Sequence, residues 1–161
     1  MRYLVFLVLA ACGVADFDLT EPIPAQMIAG SPIPGPLQVL FPIPLNVDLS
    51  SQIQAMHTGP IDSVTLSSLQ LDIMGSGDWS FVDQIDVFVA SSKSGSTLPK
   101  VKIAHVTSPG KVTTLDFAIE NGVNLKPYID EGSTVDGQST GRAPPNDVRY
   151  AGNSVFRVHP L

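Results

Sequence analysis

Hydrophobic residues recur at every second position along most of the chain after residue 37. This spacing is typical of half-buried β-strands, because successive side chains point to opposite faces of a sheet. The alternating runs are Val39 to Leu49, Val64 to Leu66, Leu69 to Ile73, Ile85 to Val89, Val101 to Ile103, Leu115 to Ile119, Val148 to Tyr150 and Phe156 to Val158. Clusters of Gly, Pro, Asn and Ser separate them. The pattern predicts an all-β fold, a single antiparallel β-sandwich over residues 37–161.

Two of the predicted strands carry a local irregularity. The hydrophobic phase slips at Ser67-Ser68, which predicts a β-bulge within one long strand. Pro42 and Pro44 lie on the polar face of the run from Val39 to Leu49 and remove hydrogen-bond donors, so this strand is expected at a sheet edge.

Helical signals are few and short. Ser51 and Gln54 match a capping box, and Gly59-Pro60 supplies a stop, so a short helix is predicted near residues 52–58. A second helical turn is expected at residues 78–83 or at 125–129. The pattern as a whole is similar to immunoglobulin-like or Greek-key sandwiches of exported bacterial proteins, a likeness of fold that carries no function.

The first twelve residues form a separate targeting segment. Arg2 precedes an apolar run from Tyr3 to Ala11, which suits the hydrophobic region of a signal peptide and is too short for a membrane-spanning helix. The run ends in Leu9-Ala10-Ala11-Cys12, which resembles the lipobox of bacterial lipoprotein precursors. The resemblance implies that residues 1–11 are removed before Cys12 and that the Cys12 thiol carries diacylglycerol, with further acylation (such as palmitate) on its amine.

The same resemblance implies a location. Gly13 follows the cysteine in place of the Asp that is typical of inner-membrane retention, so the outer membrane is expected, with the domain facing the periplasm or the cell surface. The alternative is an ordinary signal peptide that is cut after Ala15, with Cys12 inside the discarded segment.

A proline-rich stretch follows the expected anchor. Seven of the 14 prolines lie between Pro22 and Pro44, and six of them form three Pro-Ile-Pro copies spaced ten residues apart. Since proline fixes φ and favours extended backbone, residues 12–36 are predicted to be the lipid anchor and a semi-rigid spacer. A ligand for a proline-binding groove is the alternative.

Composition excludes several classes of function. The chain has 161 residues, 9 Lys and Arg against 15 Asp and Glu, and a net charge of −6, which argues against a nucleic-acid groove. A single Cys excludes an intrachain disulfide and a Cys-rich zinc site. No cofactor is expected.

One segment matches a catalytic motif. Gly137 to Gly141 fits the nucleophile-elbow pattern with Ser139 at its centre, and Asp147 and His159 follow in the order of a serine-hydrolase triad. The motif requires a helix after the serine, whereas Pro144 and Pro145 follow here, so a flexible loop is the favoured interpretation. A small serine hydrolase using Ser139 and His159 is one alternative function.

Other candidate groups have simple structural interpretations. His57, His105 and His159 are too widely spaced to form a local metal pair, and His105 is expected to be a half-buried or surface side chain. Trp79 and Phe81 are expected to fill the core, with an aromatic binding platform as the alternative. Acidic residues that could supply a calcium-dependent adhesion module, or simply a solvated face, are Asp72, Asp78, Asp83, Asp86, Asp130, Glu131 and Asp136.

Taken together, these features predict a lipid-anchored envelope protein that acts as a non-enzymatic binding or structural module. The expected partners are the membrane, through Cys12, and an envelope protein or glycan.

Overall fold

Two antiparallel β-sheets form the body of the molecule. The computed structural model describes residues 15–37, 40–41, 51 and 59–161. Residues 1–14, the helix expected over 52–58 and all but residues 40–41 of the strand expected over 39–49 therefore lie outside the described residues. The elements are β1 (Phe17–Ile28), β2 (Leu40–Phe41), β3 (Ile61–Ile73), β4 (Val82–Ser91), β5 (Val101–Thr107), β6 (Thr114–Asp116), β7 (Ala118–Ile119), α1 (Lys126–Glu131), β8 (Ser133–Gly141) and β9 (Val148–Pro160). The predicted all-β sandwich is confirmed.

The first sheet has the strand order β1-β9-β3-β6. Its second strand, β9, pairs along nearly its whole length with β1 on one side and β3 on the other. Every even-numbered residue of β9 from Val148 to Val158 is buried, including Gly152 and Ser154. Because these two small residues hide the alternation, the sequence pattern had predicted two separate strands where there is one.

The second sheet has the strand order β2-β8-β4-β5-β7. Strand β8 occupies the segment that had been interpreted as a flexible loop, and that interpretation was wrong: Ser133 to Gly141 pair with β4 along nine residues of register. The strand consists mostly of polar residues and glycine, and Gly137 is its one fully buried residue. The chain passes between the sheets at Phe117, since β6 belongs to the first sheet and β7 to the second.

The core lies between the sheets and is made of alternating inward side chains. Trp79, Tyr150, Leu71 and Ile85 are among the largest completely buried residues. The bulge predicted at Ser67-Ser68 is confirmed, because the register of β3 against β9 shifts between Leu66 and Ser68. The helical turn expected at 125–129 is also confirmed as α1, whereas residues 80–81 form only a turn.

The proline-rich segment is not a spacer throughout. Residues Phe17–Ile28 form β1, which buries Leu19, Ile23 and Ile28 against the core. Pro22 and Pro24 are exposed on the opposite face, and the register shifts between Ile23 and Gln26. An edge strand with a bulge accommodates prolines because their missing N–H groups cost it no hydrogen bond toward a further strand. The spacer predicted over residues 12–36 is therefore wrong for Phe17–Ile28.

The two ends of the sandwich differ in what they carry. At one end, called here the terminal end, β1 begins and β9 finishes, with Phe17 opposite Val158. At the other, called here the loop end, four loops meet, and backbone hydrogen bonds join them. These loops comprise residues 29–36, 74–81, 108–113 and 142–147. None of the helices in the described part of the chain has the length and hydrophobicity needed to span a membrane.

Candidate functional site

The three residues of the hydrolase motif do not meet. Ser139 lies within β8 opposite Ile85, in the second sheet, rather than on a turn before a helix. Asp147 lies at the loop end, where its Oδ1 accepts the backbone N–H of Gly30 at 2.8 Å. His159 lies at the terminal end, with its Nδ1 2.9 Å from Oδ2 of Asp16. Since β9 separates Asp147 from His159 by about 40 Å at ~3.3 Å per residue, the catalytic interpretation is wrong.

The acidic residues are also dispersed. Two of them accept hydrogen bonds from nearby groups, Asp72 from the Thr114 hydroxyl and Asp78 from the Ser80 N–H. Three form ion pairs with lysines: Asp86 with Lys102, Asp130 with Lys126 and Asp136 with Lys100. Glu131 accepts the hydroxyls of Ser91 and Ser96 and pairs with Lys93. Asp83 is exposed. Within the described ranges, no three His, Cys, Asp or Glu side chains are grouped so as to hold a metal ion. The structure therefore does not assemble the acidic adhesion site there.

The histidines take separate positions. His105 is partly exposed on β5, with its Nδ1 3.0 Å from Oε1 of Glu120, as expected for a surface or half-buried histidine. His57 lies outside the described residues.

Trp79 fills the core at the loop end, as expected. Its indole is completely buried and its Nε1 donates to the carbonyl of Thr113 at 3.1 Å. The indole stacks on Phe81 and meets the edge of Tyr150, both at a centroid distance of 5.7 Å. Burial raises the pKa of the Tyr150 phenol to about 12. Phe81 itself is only half-buried and faces a cleft.

This cleft, called here the loop-end cleft, has a volume of about 380 Å³. One wall is the segment Ser76 to Ser80, the other is Pro144 to Val148, and Phe81 lies between them. Sequence reasoning had assigned both segments to turns and had no signal that they would meet. They meet because β3 and β9 are neighbours, and Met74 N–H donates to Arg149 O at 2.8 Å where the two strands end.

The first wall is ordered around Asp78. Hydrogen bonds from Ser80, through its hydroxyl and its backbone N–H, hold the pKa of Asp78 below its ordinary value of 3.8. The N–H to Oδ1 distance is 3.0 Å. Asp78 is therefore an ionised hydrogen-bond acceptor at neutral pH.

The second wall is braced by the loop that follows β1. Pro144 O accepts the N–H of Ser31 at 2.8 Å, and Asp147 accepts that of Gly30. A side chain at Gly30 would place its Cβ 2.2 Å from the carbonyl carbon of Asn146, so only glycine permits this approach. The prolines at 144 and 145 restrict the wall further.

The base of the cleft is fixed to β8. Phe81 O accepts the N–H of Arg142 at 2.8 Å, and Val82 N–H closes a turn onto Trp79 O at 3.0 Å. At Gly141, whose φ is +149°, a Cβ would lie 2.2 Å from Phe81 O. The cleft is thus a preformed structure held by backbone contacts on all sides.

The lining is rich in hydrogen-bonding groups and carries negative charge. It combines two carboxylates, two serine hydroxyls and one carboxamide with one aromatic ring and two prolines. Among the described residues no basic side chain lines it, and Lys111 interacts with Asp78 from outside the lining. Such a surface can accept and donate hydrogen bonds and pack against one apolar face, but it repels anions.

Comparison with known proteins adds no relative from which function could be transferred. No protein-family model and no curated protein matches the chain. Among solved structures, the decameric BFDV capsid protein is similar over 89% of this chain and 97% of its own, at 8% identity and a TM-score of 0.40. Mud crab tombus-like virus is similar over 100% and 88%, at 9% identity and a TM-score of 0.33. Turnip yellow mosaic virus is similar over 100% of this chain and 90% of its own, at 12% identity and a TM-score of 0.27. At TM-scores this low, the likenesses carry no argument.

Proposed function

We propose that the protein is a lipid-anchored, non-enzymatic binding module of a bacterial cell envelope. Residues 1–11 act as the signal peptide, the Cys12 thiol carries the lipid, and the domain faces the periplasm or the cell surface. The lipobox Leu9-Ala10-Ala11-Cys12 supports the anchor, and Gly13 supports the outer membrane.

The observation that carries this proposal is the short distance between the lipobox and the sheet. Strand β1 begins at Phe17, so five residue steps separate it from Cys12, a reach of at most about 17 Å whatever their conformation. Asp18 binds Arg157 through two hydrogen bonds of 2.9 Å, and Asp16 pairs with His159. A lipid on Cys12 therefore holds the terminal end beside the membrane and directs the loop end away from it.

The non-enzymatic role is supported by the dispersal of the hydrolase residues. Ser139, Asp147 and His159 occupy separate parts of the molecule. We expect a fluorophosphonate probe to leave the folded protein unlabelled; labelling of Ser139 would contradict this part of the proposal.

Substitution of Cys12 tests the anchor. Cells expressing Cys12→Ser should lose incorporation of radioactive palmitate, and the protein should leave the membrane fraction, because no other cysteine can carry the lipid. Labelling that persists in this variant would overturn the anchor.

A second variant separates the two signal-peptide hypotheses. Ala15→Leu changes the residue before the alternative cleavage point and leaves the lipobox intact. Processing and palmitate labelling should be unchanged in Ala15→Leu if cleavage precedes Cys12, and processing should fail if cleavage follows residue 15.

A further inference from the structure

We infer that the loop-end cleft binds a neutral, hydroxyl-rich ligand, the chemistry of a glycan. The inference deepens the binding role proposed above, because a cleft at the loop end of an anchored sandwich faces away from the membrane. It concerns a different part of the molecule from Cys12, so the two can fail separately.

The size of the cleft suits a small ligand or the end of a longer one. Its volume of about 380 Å³ falls within the range of roughly 300–1,000 Å³ typical of small-molecule sites. Most residues of the two walls, among them Ser76, Ser80, Pro145 and Asn146, are exposed, so the cleft is open to solvent.

The polar groups of the cleft match hydroxyl donors. Asp147 accepts one hydrogen bond, from Gly30, through its Oδ1, and a carboxylate has about four lone-pair sites. The side chains of Asn146 and Ser76 line the cleft and are exposed, so a ligand can reach them. A carboxylate and a neighbouring carboxamide together accept from, and donate to, adjacent hydroxyls on one ring.

Phe81 supplies the apolar complement. Its ring is half-buried and is held by stacking on the buried indole of Trp79, with 29° between the planes. A fixed aromatic surface beside hydrogen-bonding groups suits a ligand with one C–H face and a rim of hydroxyls, because each part is matched by a complementary one.

Charge selects against acidic ligands. Asp78 and Asp147 both line the cleft, and among the residues that the structure describes no Lys, Arg or His does. A phosphate, a sulfate or an acidic sugar would meet two carboxylates in the cleft, whereas the nearby Lys111 interacts with Asp78 from outside the lining. Like-charge contact is an effective means of rejection. A neutral glycan avoids this cost.

The cleft is also preformed. The hydrogen bonds at Pro144, Phe81 and Asp78 position the walls without a ligand, so binding does not first have to order the loops. Preorganisation of this kind raises affinity by reducing the entropy lost on association.

A glycan array tests the inference. The full-length protein is purified in nanodiscs made without sugar-based detergent, or from the soluble fraction if it is not anchored, and is applied to neutral, sulfated and sialylated glycans. Binding to neutral glycans, with at least tenfold weaker signals for the acidic ones, is expected with or without EDTA. Absence of neutral-glycan binding, or binding that requires calcium, overturns the inference.

Matched variants assign the binding to the cleft. Phe81→Leu and Asn146→Ala should weaken binding to the best neutral glycan at least tenfold, while Phe17→Leu and Asn121→Ala, which lie outside the cleft, should change it less than twofold. Circular dichroism and thermal melting confirm that each variant is folded. Equal losses in cleft and control variants would overturn the assignment, and retained membrane attachment in all four would show that the anchor is unaffected.

Discussion

The strands of the first sheet approach each other closely at a single glycine. Gly152 lies in the middle of β9 between β1 and β3, opposite Ile23 and Leu71. A Cβ at this position would lie 2.1 Å from Gln70 O and 2.8 Å from a methyl group of Leu71. The strands therefore pack at a distance that only glycine permits at this point.

Gly152→Ala should accordingly destabilise the protein. We expect a loss of about 1–3 kcal/mol in the free energy of unfolding, measured by urea denaturation, because the strand must move to accommodate the methyl group. The matched control is Gly35→Ala, where the nearest atom to the new Cβ is 3.9 Å away. A change within about 0.5 kcal/mol is expected there, and equal losses in the two variants would contradict the argument.

Tyr150 makes the free energy of unfolding depend on pH in the alkaline range. Burial raises its pKa from 10.0 to about 12, so the native state retains the phenol proton that the unfolded chain releases. This contribution is complete below pH 10 and is lost as the pH rises toward 12. Between pH 10 and pH 12, the free energy of unfolding of wild type should therefore fall by about 2–3 kcal/mol relative to that of Tyr150→Phe. Chemical denaturation at several pH values measures this difference. Parallel pH profiles would show that the phenol is not responsible.

At the scale of the elements, the sequence predicted strands with large alternating side chains better than polar strands. Large alternating residues such as Ile85, Val87 and Val89 identified β4, and the slip at Ser67-Ser68 identified the bulge in β3. Strand β8 was missed because it has little hydrophobic side-chain surface, and sheet pairing rather than burial places it. Propensity and periodicity report burial, so a polar strand between two neighbours leaves no such signal.

Tertiary contacts also override a clean local pattern. Leu115, Phe117 and Ile119 alternate as one strand would, yet β6 and β7 join different sheets. Phe117 is buried and its N–H donates to Leu69 O at 3.1 Å where the chain crosses. Nothing in the local sequence indicates which partner strand each half will find.

Helix α1 is joined to the loop after β4 through one carboxylate. Glu131 Oε2 accepts the hydroxyls of Ser96 at 2.5 Å and Ser91 at 2.8 Å. These hydrogen bonds, with a contribution from Lys93, lower the pKa of Glu131 from its ordinary 4.5. The stabilisation is present above pH 4.5 and is lost as the pH falls through the lowered pKa.

Glu131→Gln should loosen this loop. Amide hydrogen exchange in residues 92–98 is expected to accelerate severalfold at neutral pH, because a neutral carboxamide replaces two charge-assisted hydrogen bonds. Asp130→Asn is the matched control, since Asp130 pairs with Lys126 on the same helix rather than with the loop after β4. Comparable acceleration in both variants would indicate a general effect of charge.

At the scale of the whole molecule, the position of the cleft could not be predicted. Its walls lie more than sixty residues apart in sequence and meet through the pairing of β3 with β9. The motif centred on Ser139 drew attention to the wrong residues, because a five-residue pattern carries no information about where Asp147 and His159 lie. Of the three proposed triad residues, Ser139, Asp147 and His159, only Asp147 lines the cleft.

The proposed orientation on the membrane can be measured directly. Cys12 is the only cysteine in the sequence, and the proposed lipid would block its thiol, so Leu161→Cys and Pro145→Cys would each provide one labelling site. A fluorophore at residue 161, at the terminal end, should be quenched by nitroxide-labelled lipids more strongly than one at residue 145. The ends are separated by about 35 Å, the length of β1 at ~3.3 Å per residue. Equal quenching would contradict the orientation.

The antiparallel pairing of β1 with β9 also determines how the protein would bear a mechanical load. Under the proposed anchor and ligand, a pull between the two would act on β1 at its first residue and on β9 at its first residue, which lie at opposite ends of the ladder. The force then slides the two strands past each other and loads all ten residue pairs together, rather than opening them one after another. Forced rupture is governed by the unfolding rate. Because all the pairs of this ladder would have to break together, the pairing of β1 with β9 would resist tension applied through the proposed anchor.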